Sequence, residues 1–263
     1  GIIIENKSGR QAVFGKVIID ASGDADVAYK AGVPFWQTRK EEAPRLTDQL
    51  MVKVAGIPET NTIHGCGHIN DTLVYWGPRT GALDGTNADE LTQGEITARL
   101  AVYEDLEEKK SKEPQLKDAQ IIDTGSLVGI RQTRFIEGLY KITAEDVLEG
   151  RSFEDSIAMA SSPIIHYYGY RRFLDHEGYE IPYRCLLPQK VSRLIVAGRC
   201  MSSDQQAYES WRAMAHVMAI GEAAGTAAAL SSKNNVEPKE LDVKALQQQL
   251  IAQGAEIGQG RRK

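Results

Sequence analysis

Arg131 and Arg134 stand three residues apart, and two guanidinium groups at that spacing suit the orientation of a carboxylate or the stabilisation of an enolate-like transition state. The same pair serves equally as structural or surface ion pairs. Acid–base candidates are His166, followed at once by Tyr167 and Tyr168, together with His64 and His68. A lone histidine is as readily a hydrogen-bonded structural group. Cys66, Cys185 and Cys200 lack the CxxC or Cys/His spacing of a zinc site, so no metal centre is expected. Asp20-Ala21-Ser22-Gly23-Asp24 follows an apolar run and precedes a helix signal, a turn that approaches anionic groups closely. Gly221, Ala224, Gly225 and Ala228 make a stripe of small residues on an expected helix. Such a stripe admits either a flat ligand or a tightly packed neighbouring backbone.

The elements that must position these residues are legible from their punctuation. Gly1 to Asp20 reads as strand, turn and strand, with Asn6-Lys7-Ser8-Gly9 as the turn and Val17-Ile18-Ile19 as a strand buried on both faces. A short helix over Ala25–Ala28 ends by Gly32 and Pro34. Val52 and Val54 alternate as in a strand, and Thr86-Asn87-Ala88-Asp89 caps a helix from about Asp89 to Lys110, acids early and lysines late. Ile121 to Thr143 reads as strands crossing between layers, and Thr143 caps a short helix ending near Gly150. Arg193 to Gly198 is a buried strand, followed by one long helix from Tyr208 to Ser231 and an amphipathic, peripheral helix from Val243 to Gln253.

Composition narrows the classes. The 263 residues are 42% hydrophobic and 25% charged with a net charge of −5, so neither a nucleic-acid partner nor a membrane span is expected. The odd cysteine count favours a reducing, cytoplasmic compartment. The chain opens on Gly1 and then Ile2-Ile3-Ile4, as if inside a strand, so a preceding segment is expected.

A family resemblance rests on an ordered set of motifs. Tyr179-Glu180-Ile181-Pro182-Tyr183-Arg184-Cys185-Leu186-Leu187-Pro188 leads to Leu194-Ile195-Val196-Ala197-Gly198-Arg199-Cys200-Met201-Ser202. Ser210-Trp211-Arg212 and the run Met218 to Ala228 follow. Upstream, Gly129-Ile130-Arg131-Gln132-Thr133-Arg134, Trp76-Gly77-Pro78-Arg79 and Ile19 to Asp24 keep the same order. The succession resembles FAD-dependent oxidoreductases related to the fumarate reductase and succinate dehydrogenase flavoproteins.

That resemblance implies an α/β fold: an incomplete glutathione-reductase-like FAD-binding domain with an inserted α+β substrate or cap domain. The expected division is 1–45 with 185–232 for FAD, 46–184 for substrate, and 233–263 for a C-terminal helix and tail. It implies that Gly23 and Asp24 approach the adenosine–pyrophosphate side of FAD, and that Gly198 and Arg199 stand where the wider superfamily has a Gly-acid pair. Arg199 only donates, so it suits phosphate or carbonyl oxygens rather than a ribityl hydroxyl. Residues 210–215, Ser210 and Arg212 among them, would face the flavin's pyrimidine edge, with Gly221, Ala224 and Gly225 keeping the helix close. Arg131, Arg134 and His166 would act on the substrate's side, and Cys200 would lie near the cofactor.

No strand–GxGxxG–helix string is present; Gly65-Cys66-Gly67-His68-Ile69-Asn70 lacks the third glycine. The expected activity is hydride transfer between a small organic substrate and FAD in the intact protein. A separate chain supplying the dinucleotide-binding unit is an expected partner, and the isolated chain is expected to hold no stoichiometric FAD. The alternative is a non-catalytic fragment or subunit serving as a structural or interaction module.

Overall fold

The computed structural model describes residues 1–37, 46–58, 63, 65–166 and 170–261. Its chain divides into two compact units: Gly1–Thr38 with Arg134–Lys263, and the inserted Arg39–Thr133.

Strands β1 (Ile2–Asn6) and β2 (Gly9–Val13) form an antiparallel hairpin, and β3 (Ile18–Asp20), helix α1 (Asp26–Lys30) and β4 (Phe35–Gln37) follow. The inserted unit holds β5 (Asp48–Ala55), β6 (Gly67–Ile69), β7 (Thr72–Gly81), α2 (Ala88–Lys112) and β8 (Gln120–Thr124). The chain returns through β9 (Arg134–Ile136), α3 (Ala144–Glu149), β10 (Ser156–Ala160), β11 (Ile164–Ile165), β12 (Arg171–Arg172) and β13 (Tyr179–Pro182). It closes with β14 (Leu194–Val196), α4 (Gln205–Trp211), α5 (Met214–Asn234) and α6 (Val243–Ala252). Mixed α/β architecture is therefore established.

Local chemistry accounts for the element ends. The Asn6 side chain accepts from the Ser8 amide at 2.8 Å, and Gly9 takes φ +91°, which closes the first hairpin. Asn87 accepts from the Asp89 and Glu90 amides to open α2. Thr143 and Asp146 form a reciprocal capping box on α3, which ends in left-handed Gly150.

In the inserted unit an antiparallel sheet runs β6-β7-β5-β8. Alternate residues of β5 and β7 (Leu50, Val52, Val54, Leu73, Tyr75) face one core, as a sheet covered on one side requires. Gly94, Ala98, Val102 and Leu106 recur every fourth residue along α2 and bury its matching stripe.

In the larger unit β3 and β14 pair in parallel, Ile18 opposite Leu194 and Asp20 opposite Val196. Ala28, Val33, Ile136, Val196 and Cys200 pack beside them. An aromatic chain adds a second seam. Trp36 stacks on Phe135 at 4.3 Å, Phe135 meets Tyr208 edge-on at 4.8 Å, and Tyr208 meets Trp211 at 5.4 Å.

Three expectations change. The single long helix is two, α4 and α5, set at 95° across Arg212 and Ala213. Ala213 adopts extended backbone (ψ 144°), which stops one ladder and starts the next. Second, the inserted unit ends at Thr133 rather than at residue 184. The segment after it belongs with the larger unit because β9 pairs β4, and β10 pairs β13 while packing on α5. Third, β3 is not covered on both faces: Ile19 is 39% exposed although its partner Ile195 is fully buried. Among the described residues β3 pairs on one edge only.

No single helix among the described residues is long and apolar enough to cross a membrane; the bent α4–α5 pair passes on length and composition only.

Candidate functional site

The turn after β3 is built by Asp20. Its buried carboxylate accepts from the Ser22 amide and hydroxyl (3.1 and 2.7 Å) and from the Ala28 amide (2.7 Å). Ser22 Oγ in turn accepts from the Asp26 amide at 3.0 Å, which satisfies the first amide of α1. This frame sets Gly23 at φ +81° beneath Arg199: a Cβ on Gly23 would stand 2.6 Å from the guanidinium. Asp24 accepts from Arg199 Nη2 at 2.6 Å, across 175 residues of sequence. Gly198 takes φ +92° with open space where a Cβ would be, and Arg199 Nε is buried without a hydrogen-bond partner. Gly23, Asp24, Gly198 and Arg199 therefore form one cluster at the carboxyl ends of two parallel strands.

Arg134 is placed otherwise than expected. Its guanidinium donates to the Asp24 carbonyl (3.0 Å) and Asp26 carboxylate (2.8 Å) and lies over the Tyr29 ring at 4.2 Å. With its side chain 9% exposed, it clamps the turn instead of reaching for a substrate. Arg131 belongs to the inserted unit, where its amide donates to Asp48 at 3.1 Å and its guanidinium to the Gln49 side chain. The two arginines thus serve different units.

A second polar cluster gathers around α4. His166 Nδ1 lies 3.4 Å from Oε2 of Glu209, and its ring packs against Tyr170 at 4.6 Å. Glu209 is 4% exposed and accepts from Gln205 Nε2 at 3.1 Å. Burial raises the Glu209 pKa, while Gln205, His166 and Arg212 oppose that rise. Arg212 sits at the α4–α5 corner, its Nε buried without a hydrogen-bond partner and its guanidinium 5.9 Å from the Tyr208 ring centre. His216, in the first turn of α5, accepts from the Ser161 amide at 3.3 Å, and burial lowers its pKa.

Ser210, by contrast, spends its hydroxyl on internal hydrogen bonds. It is 1% exposed, accepts from the Tyr179 hydroxyl at 2.9 Å and donates to the Ser162 carbonyl at 2.5 Å. Burial accordingly drives the Tyr179 hydroxyl far above its ordinary range.

The small-residue stripe divides in two. Ala224 is fully buried and serves packing. Gly221 and Gly225 have open space where a Cβ would be, and they continue the face on which Met214 and Met218 are 84% and 74% exposed. Cys200 is buried among the β3–β14 core, and burial pushes its thiol up to about 12, so it is no nucleophile at neutral pH. His68 bonds the Ile57 carbonyl at 3.1 Å, a structural contact. His64, Tyr167 and Tyr168 lie outside the described residues. No cluster of potential metal ligands occurs among the described residues. A crevice of about 1000 Å³ opens beside Ile2, Ile4, Ile18, Val27 and Leu194, with Asp26 of the first turn also on its wall.

Glu209 and His216 carried no sequence signal of a site. Within an expected helix a glutamate reads as a solvated side chain, and only the α4–α5 corner buries it. No curated protein and no solved structure matches the chain. A family model does, over residues 1–74 and 62–250, and its span takes in both turns of the first cluster and all of α4 and α5. By that match, the chain belongs to the FAD dependent oxidoreductase family.

Proposed function

We propose that the intact protein moves a hydride between a small organic substrate and FAD, on a glutathione-reductase-like FAD-binding layer. The observation that carries this reading is the parallel pairing of β3 with β14, which brings the Gly23-Asp24 and Gly198-Arg199 turns together. The carboxyl ends of parallel strands are where open α/β sheets take ligands. The residues present fit such a group. Gly198 leaves room for a backbone approach, Arg199 has an unused buried donor, and Gly221 and Gly225 leave an open face on α5.

In this reading Arg199 holds phosphate or carbonyl oxygens of the dinucleotide, with Asp24 fixing its guanidinium. The first-turn amides of α5, with no side-chain cap at Ala213, would hold the flavin's pyrimidine edge and would favour negative charge there. Arg212 adds positive charge at the same corner. FAD, when bound, supplies the redox centre. His166 takes or returns the proton that accompanies the hydride. Arg131 remains the carboxylate-orienting candidate of the inserted unit, whose proposed role is substrate binding.

The partner in this reading is a strand–GxGxxG–helix unit that adds to the open edge of β3, where Ile19 is exposed. A non-catalytic structural or interaction module is the second reading.

Visible absorbance and released flavin separate the two readings. The purified chain alone is expected to hold less than one FAD. Mixed with a polypeptide carrying the strand–GxGxxG–helix unit, it is expected to turn yellow with one FAD per complex and to lose that colour with Arg199→Ala. A yellow chain without any partner would remove the partner and keep the flavin. A colourless mixture would select the structural module.

A further inference from the structure

Glu209 is a carboxylate almost wholly withdrawn from water, at 4% exposure, with one hydrogen bond to spend on. Oε1 takes Gln205 Nε2, while Oε2 is buried and has no hydrogen bond. Among the described residues, His166 Nδ1 lies 3.4 Å from Oε2, within ion-pair reach but without a hydrogen bond to it. A buried carboxylate left half-satisfied costs free energy, so a proton-bearing neighbour is favoured at that place. His166 is held from the other side by the Tyr170 ring, and its amide donates to the Tyr170 carbonyl at 3.1 Å. The imidazole is thus packed against one ring, with Nδ1 on the side of α4 and a small rotation short of a hydrogen bond to Oε2.

We propose that Glu209 is the positioning residue for His166, holding the neutral imidazole with its proton on Nδ1 so that Nε2 presents a lone pair. An imidazole with an acceptor on one nitrogen is locked in one tautomer, and the other nitrogen becomes the base. The charged and titratable groups around the pair, among the described residues, are Tyr170 beside the ring and Arg212 and Asp204 beside the carboxylate. Burial raises the Glu209 pKa and Asp204 adds to that rise, while Gln205, His166 and Arg212 draw it toward the ionised form. The proton stays within the pair: Nδ1 keeps it while Nε2 accepts a second one from a substrate, and the resulting imidazolium faces the carboxylate. This role rests on His166 being the acid–base group of the proposed reaction. The tautomer itself exists with or without substrate and flavin.

The test is the ¹⁵N spectrum of the histidine side chains at a pH of about 8, where an ordinary imidazole is neutral. His166 is assigned by the signal lost in His166→Asn. The expected result is a protonated, pyrrole-type Nδ1 in the wild-type chain and a switch to protonated Nε2 in Glu209→Met, which removes the acceptor while keeping the length. Protonated Nε2 in the wild type overturns the proposal, as does an unchanged tautomer in folded Glu209→Met. If that variant does not fold, the wild-type spectrum still decides. The flavin reading is judged separately by colour, so failure of either is recognised on its own.

Discussion

Asp20 answers three donors at once, two from Ser22 and one from the Ala28 amide, and it does so in a fully buried position. Removing the carboxylate strands a buried N–H and loosens the turn that presents Gly23 beneath Arg199. Asp20→Ala is therefore expected to cost about 2 kcal/mol, read as a lower midpoint in urea unfolding with an unchanged slope. Asp20 and Gly23 were legible as a turn from their types and spacing. Their partner across the sheet was not, because the Asp24–Arg199 pair joins residues 175 apart. The guanidinium of Arg134 shows the complementary failure: nothing in its neighbours' spacing announces Asp26 and Tyr29 as its partners.

The division of the expected long helix governs the next scale up. Arg212 and Ala213 are both compatible with a helix, so neither proline nor glycine marks the 95° break. What makes the corner is packing: Tyr208 and Trp211 are drawn into the aromatic seam, and Trp211 Nε1 donates to Ser203 Oγ at 2.9 Å. α5 then runs with Ala223, Ala224 and Ala227 inward and Met214, Met218 and Gly221 outward. A glycine in an open helical face is costly unless something needs the space. Gly221→Ala is expected to stabilise the free chain by about 0.5–1 kcal/mol, because alanine meets nothing there and suits a helix better. In the yellow complex the same change is expected to weaken FAD binding by about tenfold, roughly 1.4 kcal/mol. Thermal melts and flavin titration read the two effects. Equal affinity for FAD would show that Gly221 serves no ligand.

The whole molecule is two units, each with its own core. Leu106 of α2 is 2% exposed in the core of the inserted unit. Leu106→Ala is expected to cost that unit about 3 kcal/mol. Native-state hydrogen exchange should therefore show a larger loss of protection at Val54 than at Ile195, since separate cores open as separate cooperative units. Equal losses at both amides would mean that the chain unfolds as one body. The boundary at Thr133 was hidden in the sequence because glycines alternate with β-type residues all along Ile121 to Thr143, and no one of those breaks stands out at Thr133. Strands β8 and β9 both lie in that run, yet they pair in different units.

Some features needed nothing beyond the sequence, because they are settled within a few residues. The Asn6–Gly9 hairpin turn, the Asn87 cap of α2, the Thr143–Asp146 box and the left-handed stop at Gly150 are local balances of hydrogen bonds and φ. The order of motifs along the chain was equally sufficient for the family. Tertiary structure alone decided which polar groups lie under the surface and which meet. It withdrew Ser210 and Arg134 into the packing, opened Gly221 and Gly225 to space, and set Glu209 against His166. Those outcomes depend on contacts between distant segments and on the loss of water around them, and neither is encoded in the spacing of neighbours.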